Sequence, residues 1–188
     1  MVAAVSNSLT LKQFLALPEI EASPAWELIC GEVSQKPMPR GKHSRLQSRL
    51  GGAINATGAS YEALPELRCT FGGQSIVPDL VVLPAQDIPV DENGDISSTG
   101  IEFAPPWMIE ILSPEQSQMK VTRKILHSLR HGGRMGWLID PYERVVLVYY
   151  PDCLPDELTG DAMLPCLPEV RLGLTVDQLF GWLRVARG

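Results

Sequence analysis

Hydrophobic residues in this chain follow patterns that predict alternating strands and helices. Apolar runs rich in β-branched residues and bounded by Pro or Gly are typical of buried strands. The two strongest runs are Ser75–Leu83 and Pro106–Leu112. Trp26–Gln35 predicts a hairpin that turns at its Gly-containing centre. Weaker strand patterns occur in Tyr61–Leu64, Leu67–Phe71, Gly136–Asp140 and Arg144–Tyr150, and the last two predict a second hairpin.

Helix starts are marked by capping residues. Thr10–Gln13 and Thr175–Gln178 each have the sequence of a capping box, in which side chains satisfy the first free backbone N–H groups. Ser113–Gln116 combines a Ser at N-cap, a Pro at N1 and a Gln at N3, and it predicts a helix over Pro114–His131. Apolar residues at helical spacing predict an amphipathic helix over His43–Ala56.

The length and composition fit one folded domain over residues 1–188. Hydrophobic residues make up 45% and charged residues 20%, so the chain is able to bury a sizeable core. No basic segment with a long apolar stretch opens the chain, and no apolar run approaches the ~20 residues that cross a bilayer. We therefore expect a cytoplasmic protein without a membrane partner. Four cysteines without metal-binding spacing are expected to be free and mostly buried: Cys30, Cys69, Cys153 and Cys166.

The charge distribution qualifies the meaning of the net charge. A net charge of −6 by itself argues against a nucleic acid as partner. However, Val33–Tyr61 and Gln116–Arg134 each hold five basic residues and no acid, so ten of the 16 Lys and Arg lie in two stretches. Such segregation builds a basic patch, and two solvated helix faces are an equal alternative. The candidates for phosphate contacts in these stretches are Lys42, Arg45, Lys120 and Arg123.

Two acidic residues interrupt apolar runs. Asp79 lies within Ser75–Leu83, and Glu110 lies within Pro106–Leu112. An ionised carboxylate in a buried strand is costly unless it is paired, protonated or bound to a metal. Exposure at a strand end is the simpler interpretation of one such acid, but two of them before a basic helix favour a divalent cation. Mg²⁺ takes carboxylate oxygens and leaves positions for water and a substrate phosphate.

The order of several motifs resembles the PD-(D/E)xK signature of restriction-endonuclease-like nucleases. WELICGEV is followed by His43 at a helix start, then by VPDLVVL, PPWMIEILSP, Lys124 and GWLIDP. This order is similar to that of a bacterial restriction-endonuclease-like family once called domain of unknown function 820, over roughly Glu27 to Tyr150. The resemblance implies an α/β fold, in which helices flank a central mixed sheet, with an N-terminal hairpin and a C-terminal helix.

The resemblance also implies a catalytic site. Asp79 and Glu110 would bind Mg²⁺ or Mn²⁺, with the backbone carbonyl of Ile111 as a further ligand. The signature lysine is absent, because Leu112 stands two residues after Glu110. Lys124, on the following helix, is implied in its place, where it would orient or deprotonate a water or stabilise the phosphorus in the transition state.

A helical wheel supports Lys124 as the catalytic lysine. It lies at the edge of the predicted apolar stripe, which consists of Thr122, Ile125, Leu126 and Leu129. Three other residues are predicted to point further into solvent: Lys120, His127 and His131. Glu32 and His43 also match recurring positions of the family, Glu32 as a further metal ligand and His43 as a phosphate contact. A purely structural place at the helix start is an equal interpretation of His43.

These features predict a magnesium-dependent endonuclease that hydrolyses DNA and needs no nucleotide or organic cofactor. A nuclease fold that only binds or regulates is one alternative, and a small-molecule phosphodiesterase is another. The apolar tail Leu172–Leu183, together with the two cuts that a duplex requires, predicts a homodimer. Closure of the monomer's own core by this tail is the alternative.

Overall fold

The secondary structure comes from a computed structural model, which describes residues 9–20, 22–97, 99–114 and 116–185. Within these residues the chain forms ten strands: β1 Trp26–Ile29, β2 Glu32–Gln35, β3 Tyr61–Pro65, β4 Cys69–Phe71, β5 Gln74–Ile76, β6 Leu80–Pro84, β7 Trp107–Ile111, β8 Met135–Asp140, β9 Val145–Tyr149 and β10 Asp156–Leu158. The same residues form four α-helices: α1 Leu11–Leu15, α2 Gly41–Asn55, α3 Gln118–Arg130 and α4 Val176–Gly181.

Six strands form the central mixed sheet, in the order β10-β9-β8-β7-β6-β3. The neighbours β7 and β8 are parallel, and the other neighbours are antiparallel. Helix α3 joins the parallel pair, because two parallel strands need a crossover connection. The predicted fold class, a central mixed sheet flanked by helices, is confirmed.

Four strands form a second sheet in the order β2-β1-β5-β4. The hairpin and a strand over Leu67–Phe71 were predicted, but their assembly into a separate sheet was not. The hairpin turns as expected at Gly31, which has a φ of 79°. The run Ser75–Leu83 is divided between the sheets, because β5 belongs to the second sheet and β6 to the central one. Pro78 has no N–H to donate, so one strand cannot continue through it. This division leaves Asp79 at the junction of the two sheets.

Alternate side chains of β7 face two separate cores. Trp107, Ile109 and Ile111 pack with residues of α2, α4 and the central sheet. Met108 packs instead with residues of α3 and the second sheet. Every residue of β7 is buried, as expected for a strand covered on both faces. Glu110 shares the face of Met108, so it is turned toward α3.

Helix α3 begins later than predicted. Its N-cap is Ser117, whose hydroxyl accepts from Lys120 N at 3.4 Å. The predicted cap, Ser113, forms a separate turn in which its carbonyl accepts from Gln116 N. The Gln116 side chain also accepts from Ser113 N at 3.2 Å, so the motif closes its own turn before the helix begins. The end of the helix, capped by His131, agrees with the prediction.

The buried face of α3 also differs from the predicted stripe. It consists of Val121, Lys124, Ile125, His127 and Ser128. Lys124 therefore lies within the buried face rather than at its edge. His127 does not point into solvent as predicted, because its ring stacks on that of Phe71 with a centroid distance of 4.8 Å. Phe71 belongs to the second sheet, and a helical wheel of α3 contains no information on where that sheet packs. Lys120 and His131 are exposed, as predicted.

The C-terminal helix α4 closes the core of the monomer. It begins at the predicted capping box of Thr175 and Gln178, as α1 begins at its own predicted box. Leu179 and Phe180 are fully buried against α2 and the central sheet. The apolar tail thus has a place within one chain, which was the alternative to a dimer interface. The homodimer stays a prediction and loses this support.

The cysteines are free, as predicted. They are less buried than expected, because only Cys69 is fully buried, while Cys166 is half-buried and Cys30 and Cys153 are exposed. In the part of the chain that the structure describes, no helix is long and apolar enough to cross a membrane.

Candidate active site

Asp79 immediately precedes β6, and Glu110 lies on the neighbouring strand β7. The antiparallel strands β6 and β7 pair Leu80 with Ile109, so the next position of this register places Asp79 opposite Glu110. Residues opposite each other in an antiparallel pair project from one face, with Cβ atoms about 5 Å apart. Ile111 N donates a hydrogen bond to Asp79 Oδ2 at 2.7 Å. The two carboxylates are thus neighbours, and their side chains are only 2% and 1% exposed.

Asp79 is surrounded by hydrogen-bond donors. Besides Ile111 N, the Lys36 ammonium lies 2.8 Å from Oδ1, and His43 Nε2 lies 3.0 Å from Oδ2. His43 reaches Asp79 from the first turn of α2, which begins two residues earlier than predicted, at Gly41. Burial raises the pKa of Asp79, but Lys36 and the hydrogen bond from His43 outweigh it and hold that pKa well below its usual range. Asp79 is therefore ionised at neutral pH.

Lys36 links Asp79 to an acid that sequence reasoning missed. Its ammonium lies 3.0 and 2.9 Å from the two carboxylate oxygens of Glu66, and 2.8 Å from the carbonyl oxygen of Val77. The side-chain amide of Gln47 donates to the same Glu66 carboxylate at 3.0 Å. Burial lowers the pKa of Lys36, but the surrounding acids, Asp79 first, raise it overall. We call Asp79, Lys36, His43 and Glu66 the Asp79 half of the site.

Glu110 is held by a different lysine. The Lys124 ammonium forms ion pairs of 2.7 Å with Glu110 Oε1 and with Glu27 Oε1. Glu27 also accepts a hydrogen bond from Val77 N at 2.7 Å. Burial lowers the pKa of Lys124, but Glu110, Glu27 and Asp79 raise it overall above its usual value. These three residues, Glu110, Lys124 and Glu27, form the Glu110 half of the site.

One oxygen of Glu110, Oε1, contacts only the Lys124 ammonium, and the other has no partner among the described residues. Its Oε2 is buried, and none of the residues that the structure describes donates to it. Burial raises the pKa of Glu110 to about 8, against the lowering effect of Lys124. A buried polar atom without a partner is costly, and a hard divalent cation would satisfy it. The chemistry of Asp79 and Glu110 therefore fits Mg²⁺ or Mn²⁺.

The chain's own ligand set for such a cation is small. Across residues 9–20, 22–97, 99–114 and 116–185, no group of three or more His, Cys, Asp and Glu is arranged to hold a metal ion. Mg²⁺ commonly binds one or two carboxylates, keeps several waters and takes the remaining oxygens from substrate phosphates. Two carboxylates without a closed cage therefore suit a metal that is shared with a substrate. The carbonyl of Ile111 stays a predicted ligand.

A cavity of about 430 Å³ opens onto the Asp79 half of the site. This volume is within the range of about 300–1,000 Å³ that is usual for ligand pockets. Its walls include Lys36, His43, Glu66 and Asp79. Glu110, Lys124 and Glu27, although described, are not among the residues that line it. A substrate that enters this cavity would therefore meet the Asp79 half first.

The structure corrects the prediction of a metal ligand at Glu32. This residue begins β2, at the edge of the second sheet, and its side chain is exposed. Glu27 enters the site instead, because β1 lies inside the second sheet, between β2 and β5. The signal for Glu27 was its position within WELI, where an acid follows Trp26 and precedes a buried Leu28.

The predicted phosphate contacts are only partly available. Three of them have exposed side chains, Lys42, Lys120 and Arg123. Arg45 does not fit this role, because its guanidinium donates to the backbone carbonyls of Trp182 and Arg184. It therefore ties α2 to the C-terminal segment. His43 contacts Asp79 directly, so it has a place in the site whether or not it also meets a phosphate.

This mixed sheet, with one acid just before β6, a second acid on the adjacent strand β7 and a lysine on the following helix, is typical of a restriction-endonuclease-like nuclease fold. Residues 11–178 match the Uma2 family, described as "Putative restriction endonuclease", and the chain belongs to this family. The chain is also similar to the crystal structure of a "putative nuclease belonging to DUF820" from Anabaena variabilis ATCC 29413. The TM-score is 0.85 and the identity 46%, over 94% of this chain and 99% of that chain. No curated protein matches the chain.

Proposed function

We propose that this protein is a divalent-metal-dependent endonuclease that hydrolyses phosphodiester bonds of DNA. The proposal rests on one observation, namely that Asp79, Glu110 and Lys124 lie close together. One buried carboxylate lies just before β6 and the other opposite it on β7, and an ammonium lies 2.7 Å from the second. Membership of a family described as "Putative restriction endonuclease" supports this class of reaction. The fold alone would not, because one fold hosts several functions.

In this proposal each side chain has a distinct task. Asp79 and Glu110 would hold Mg²⁺ or Mn²⁺ with the carbonyl of Ile111. The bound ion would lower the pKa of a water and offset the charge that develops on the phosphodiester. His43 fixes the orientation of Asp79 through its contact with Oδ2. Lys124 keeps a positive charge beside Glu110, where it would stabilise the charge that develops on the phosphate in the transition state.

DNA is the proposed substrate because basic residues adjoin the site residues in the chain. Lys42 precedes His43 in α2, and Lys120 and Arg123 lie on α3 with Lys124. All three of these side chains are exposed. Exposed Lys and Arg bind phosphates with little regard to sequence and release counterions from DNA. Exposed basic residues beside the site residues of both helices would attract a polyanion despite the net charge of −6.

The test is cleavage of supercoiled plasmid DNA in Mg²⁺ or Mn²⁺ by wild type, Glu110→Gln and Glu92→Gln. Glu110→Gln removes one ligand charge with little change in shape. Glu92 is exposed, so Glu92→Gln is the matched control for the chemical change. We expect metal-dependent nicking by wild type and by the control, and none by Glu110→Gln or in EDTA. Equal cleavage by the two Gln variants would contradict the assignment of Glu110.

The other two functions predict different results in the same experiment. Binding of DNA without cleavage in any divalent metal would favour a nuclease fold that only binds or regulates. Hydrolysis of a small phosphodiester without affinity for DNA would favour a small-molecule phosphodiesterase that uses the 430 Å³ cavity. Either result would contradict the proposed DNA endonuclease. A rise in melting temperature with Mn²⁺ that Asp79→Ala abolishes would support the metal site independently of activity.

A further inference from the structure

The Lys36 ammonium has the surroundings of a bound cation. Its four contacts are all with oxygen atoms, at 2.8 Å from Asp79 Oδ1, 2.8 Å from Val77 O, and 3.0 and 2.9 Å from the two oxygens of Glu66. Carboxylate and carbonyl oxygens are the ligands that Mg²⁺ and Ca²⁺ prefer in proteins. An ammonium donates three hydrogen bonds, and these three residues accept all of them. We call Asp79, Val77 and Glu66 the oxygen cradle of Lys36.

The cradle is assembled from separate parts of the chain. Glu66 follows β3, whereas Val77 and Asp79 lie between β5 and β6. Lys36 itself follows β2, and Gln47 of α2 donates to both Glu66 Oε1 and the carbonyl of Asp79, at 3.0 and 2.8 Å. Oxygens from two separate segments, one after β3 and one between β5 and β6, therefore converge on the Lys36 ammonium, and Gln47 holds the two segments together. The lysine is 9% exposed, so it is not a surface side chain that happens to meet an acid.

The oxygen cradle and the proposed metal site at Asp79 and Glu110 have one residue in common, Asp79. Asp79 directs Oδ1 to Lys36, and it lies opposite Glu110, whose Oε2 lacks a donor. In nucleases that use two metals, ions about 3.5–4 Å apart stabilise the attacking and the leaving oxygens of the phosphodiester. A carboxylate that contacts two cation positions can hold two positive charges this close together. Here one of the two positions already contains a positive charge.

We propose that the Lys36 ammonium occupies the second cation position of this site, so that the protein binds one divalent ion and Lys36 supplies the other positive charge. The inference rests on the proposed function, because it assumes a divalent ion at Asp79 and Glu110. Lys36 lines the cavity of about 430 Å³. Its charge therefore lies on the side from which a phosphodiester would approach, and it would stabilise an oxygen of that group.

Lys36 and Lys124 differ in a way that supports this assignment. Lys124 does not line the cavity, and its two ion-pair partners, Glu110 and Glu27, both belong to the Glu110 half. Lys36 contacts a partly exposed acid, because the Glu66 side chain is 44% exposed. Solvent, and therefore a hydrated ion, can reach Glu66. If Lys36 were removed, the oxygen cradle would be open to a divalent ion from solution.

The test counts Mn²⁺ ions bound per chain, by electron paramagnetic resonance titration of free Mn²⁺. The proteins are wild type, Lys36→Ala, the double variant Lys36→Ala/Glu66→Gln, and Lys12→Ala. Lys12 is exposed on α1, so Lys12→Ala matches the change in charge without touching the cradle. We expect one ion in wild type and in Lys12→Ala, two in Lys36→Ala, and one again in the double variant.

The possible results separate this inference from the proposed function. Two ions in wild type, or one ion in Lys36→Ala, would overturn the role of Lys36 and leave a one-metal or two-metal nuclease intact. No bound ion in wild type would contradict the proposed metal site and with it this inference. If Lys36→Ala does not fold, Lys36→Met takes its place, since methionine keeps most of the aliphatic stem but places neither a charge nor a hydrogen-bond donor in the cradle. A count of two in Lys36→Met supports the inference, and a count of one overturns it.

Discussion

The two halves of the site consist of the same parts, a buried carboxylate and a buried lysine, yet they differ in how well they are satisfied. Both oxygens of Asp79 have donors, namely Lys36 on Oδ1 and His43 with Ile111 N on Oδ2. Glu110 pairs with Lys124 through Oε1 only, and its Oε2 lacks a donor. Hydrogen bonds hold a carboxylate in one orientation, whereas a buried oxygen without a donor is stabilised by any partner that reaches it. The Asp79 half is therefore preorganised, and the Glu110 half is left incomplete.

The protonation states follow the same division. The pKa of Asp79 lies well below its usual range, because Lys36 and His43 outweigh the effect of burial. The pKa of Glu110 is raised to about 8, because burial outweighs the effect of Lys124. Opposite shifts of neighbouring carboxyl groups often mark functional sites. Binding of a metal ion requires the ionised form, so we expect Glu110 to release a proton when a metal binds.

The largest effect expected from this difference is on stability without metal. Asp79→Asn leaves the buried Lys36 with only the half-exposed Glu66 as a charged partner, and breaking a buried pair costs roughly 3–5 kcal/mol. Glu110→Gln should cost much less, because glutamine resembles the protonated glutamic acid and Lys124 keeps its ion pair with Glu27. Urea denaturation at pH 7 in EDTA measures both free energies of unfolding. Equal losses in the two variants would show that the halves do not differ as described.

The next largest effect concerns turnover and separates two lysines of one helix. Lys124→Ala should lower kcat about 100-fold or more with little loss of DNA affinity, as expected for a group that acts on the transition state. Lys120→Ala should weaken DNA binding modestly and lower its salt dependence by about one phosphate contact. Single-turnover cleavage and binding at several salt concentrations measure both. The reverse result would remove Lys124 from its assigned role and leave the two acids unaffected.

The parts of the fold that were predictable from the sequence depend on neighbours along the chain. The capping boxes at Thr10 and Thr175 and the hairpin turn at Gly31 are local, and they occur where expected. Asp79 and Glu110 were found because each is an acid within an apolar run, which is unusual enough to identify. Lys124 was predicted from the order of motifs, and in the structure its ammonium contacts Glu110.

The residues that were missed share an ordinary sequence context. Lys36 lies in a basic stretch that fits a surface patch, Glu66 follows the short strand β3, and Glu27 lies in a hairpin. Their burial depends on the second sheet and on its junction with the central sheet, which no local pattern indicates. The same cause explains His127, because Phe71 of the second sheet covers a face of α3 that the helical wheel left exposed.

A gradual effect is expected when pH changes the charge of Glu110. Its folded pKa of about 8 exceeds the ordinary value of 4.5, so the folded state keeps a proton that the unfolded state loses between these pH values. This contribution to stability is fully present below about pH 4.5, declines as pH rises, and is lost above about pH 8. Glu110→Gln lacks this titration. The free energy of unfolding of wild type minus that of Glu110→Gln, in EDTA, should therefore fall across this window. A difference that rises with pH would contradict the assigned shift.

The smallest effect concerns the start of α3, which carries Lys124 and so supports only the Glu110 half. The hydroxyl of Ser117 accepts from Lys120 N at the first turn, and loss of such an N-cap costs about 1 kcal/mol. Ser117→Ala should therefore lower the free energy of unfolding by about that amount. Ser113→Ala is the matched control, because the contacts of Ser113 with Gln116 use its backbone N–H and carbonyl, which alanine retains. Its cost should be clearly smaller. A larger loss in Ser113→Ala would indicate that Ser113 is the N-cap and that the helix begins at Pro114, as the sequence motif predicted.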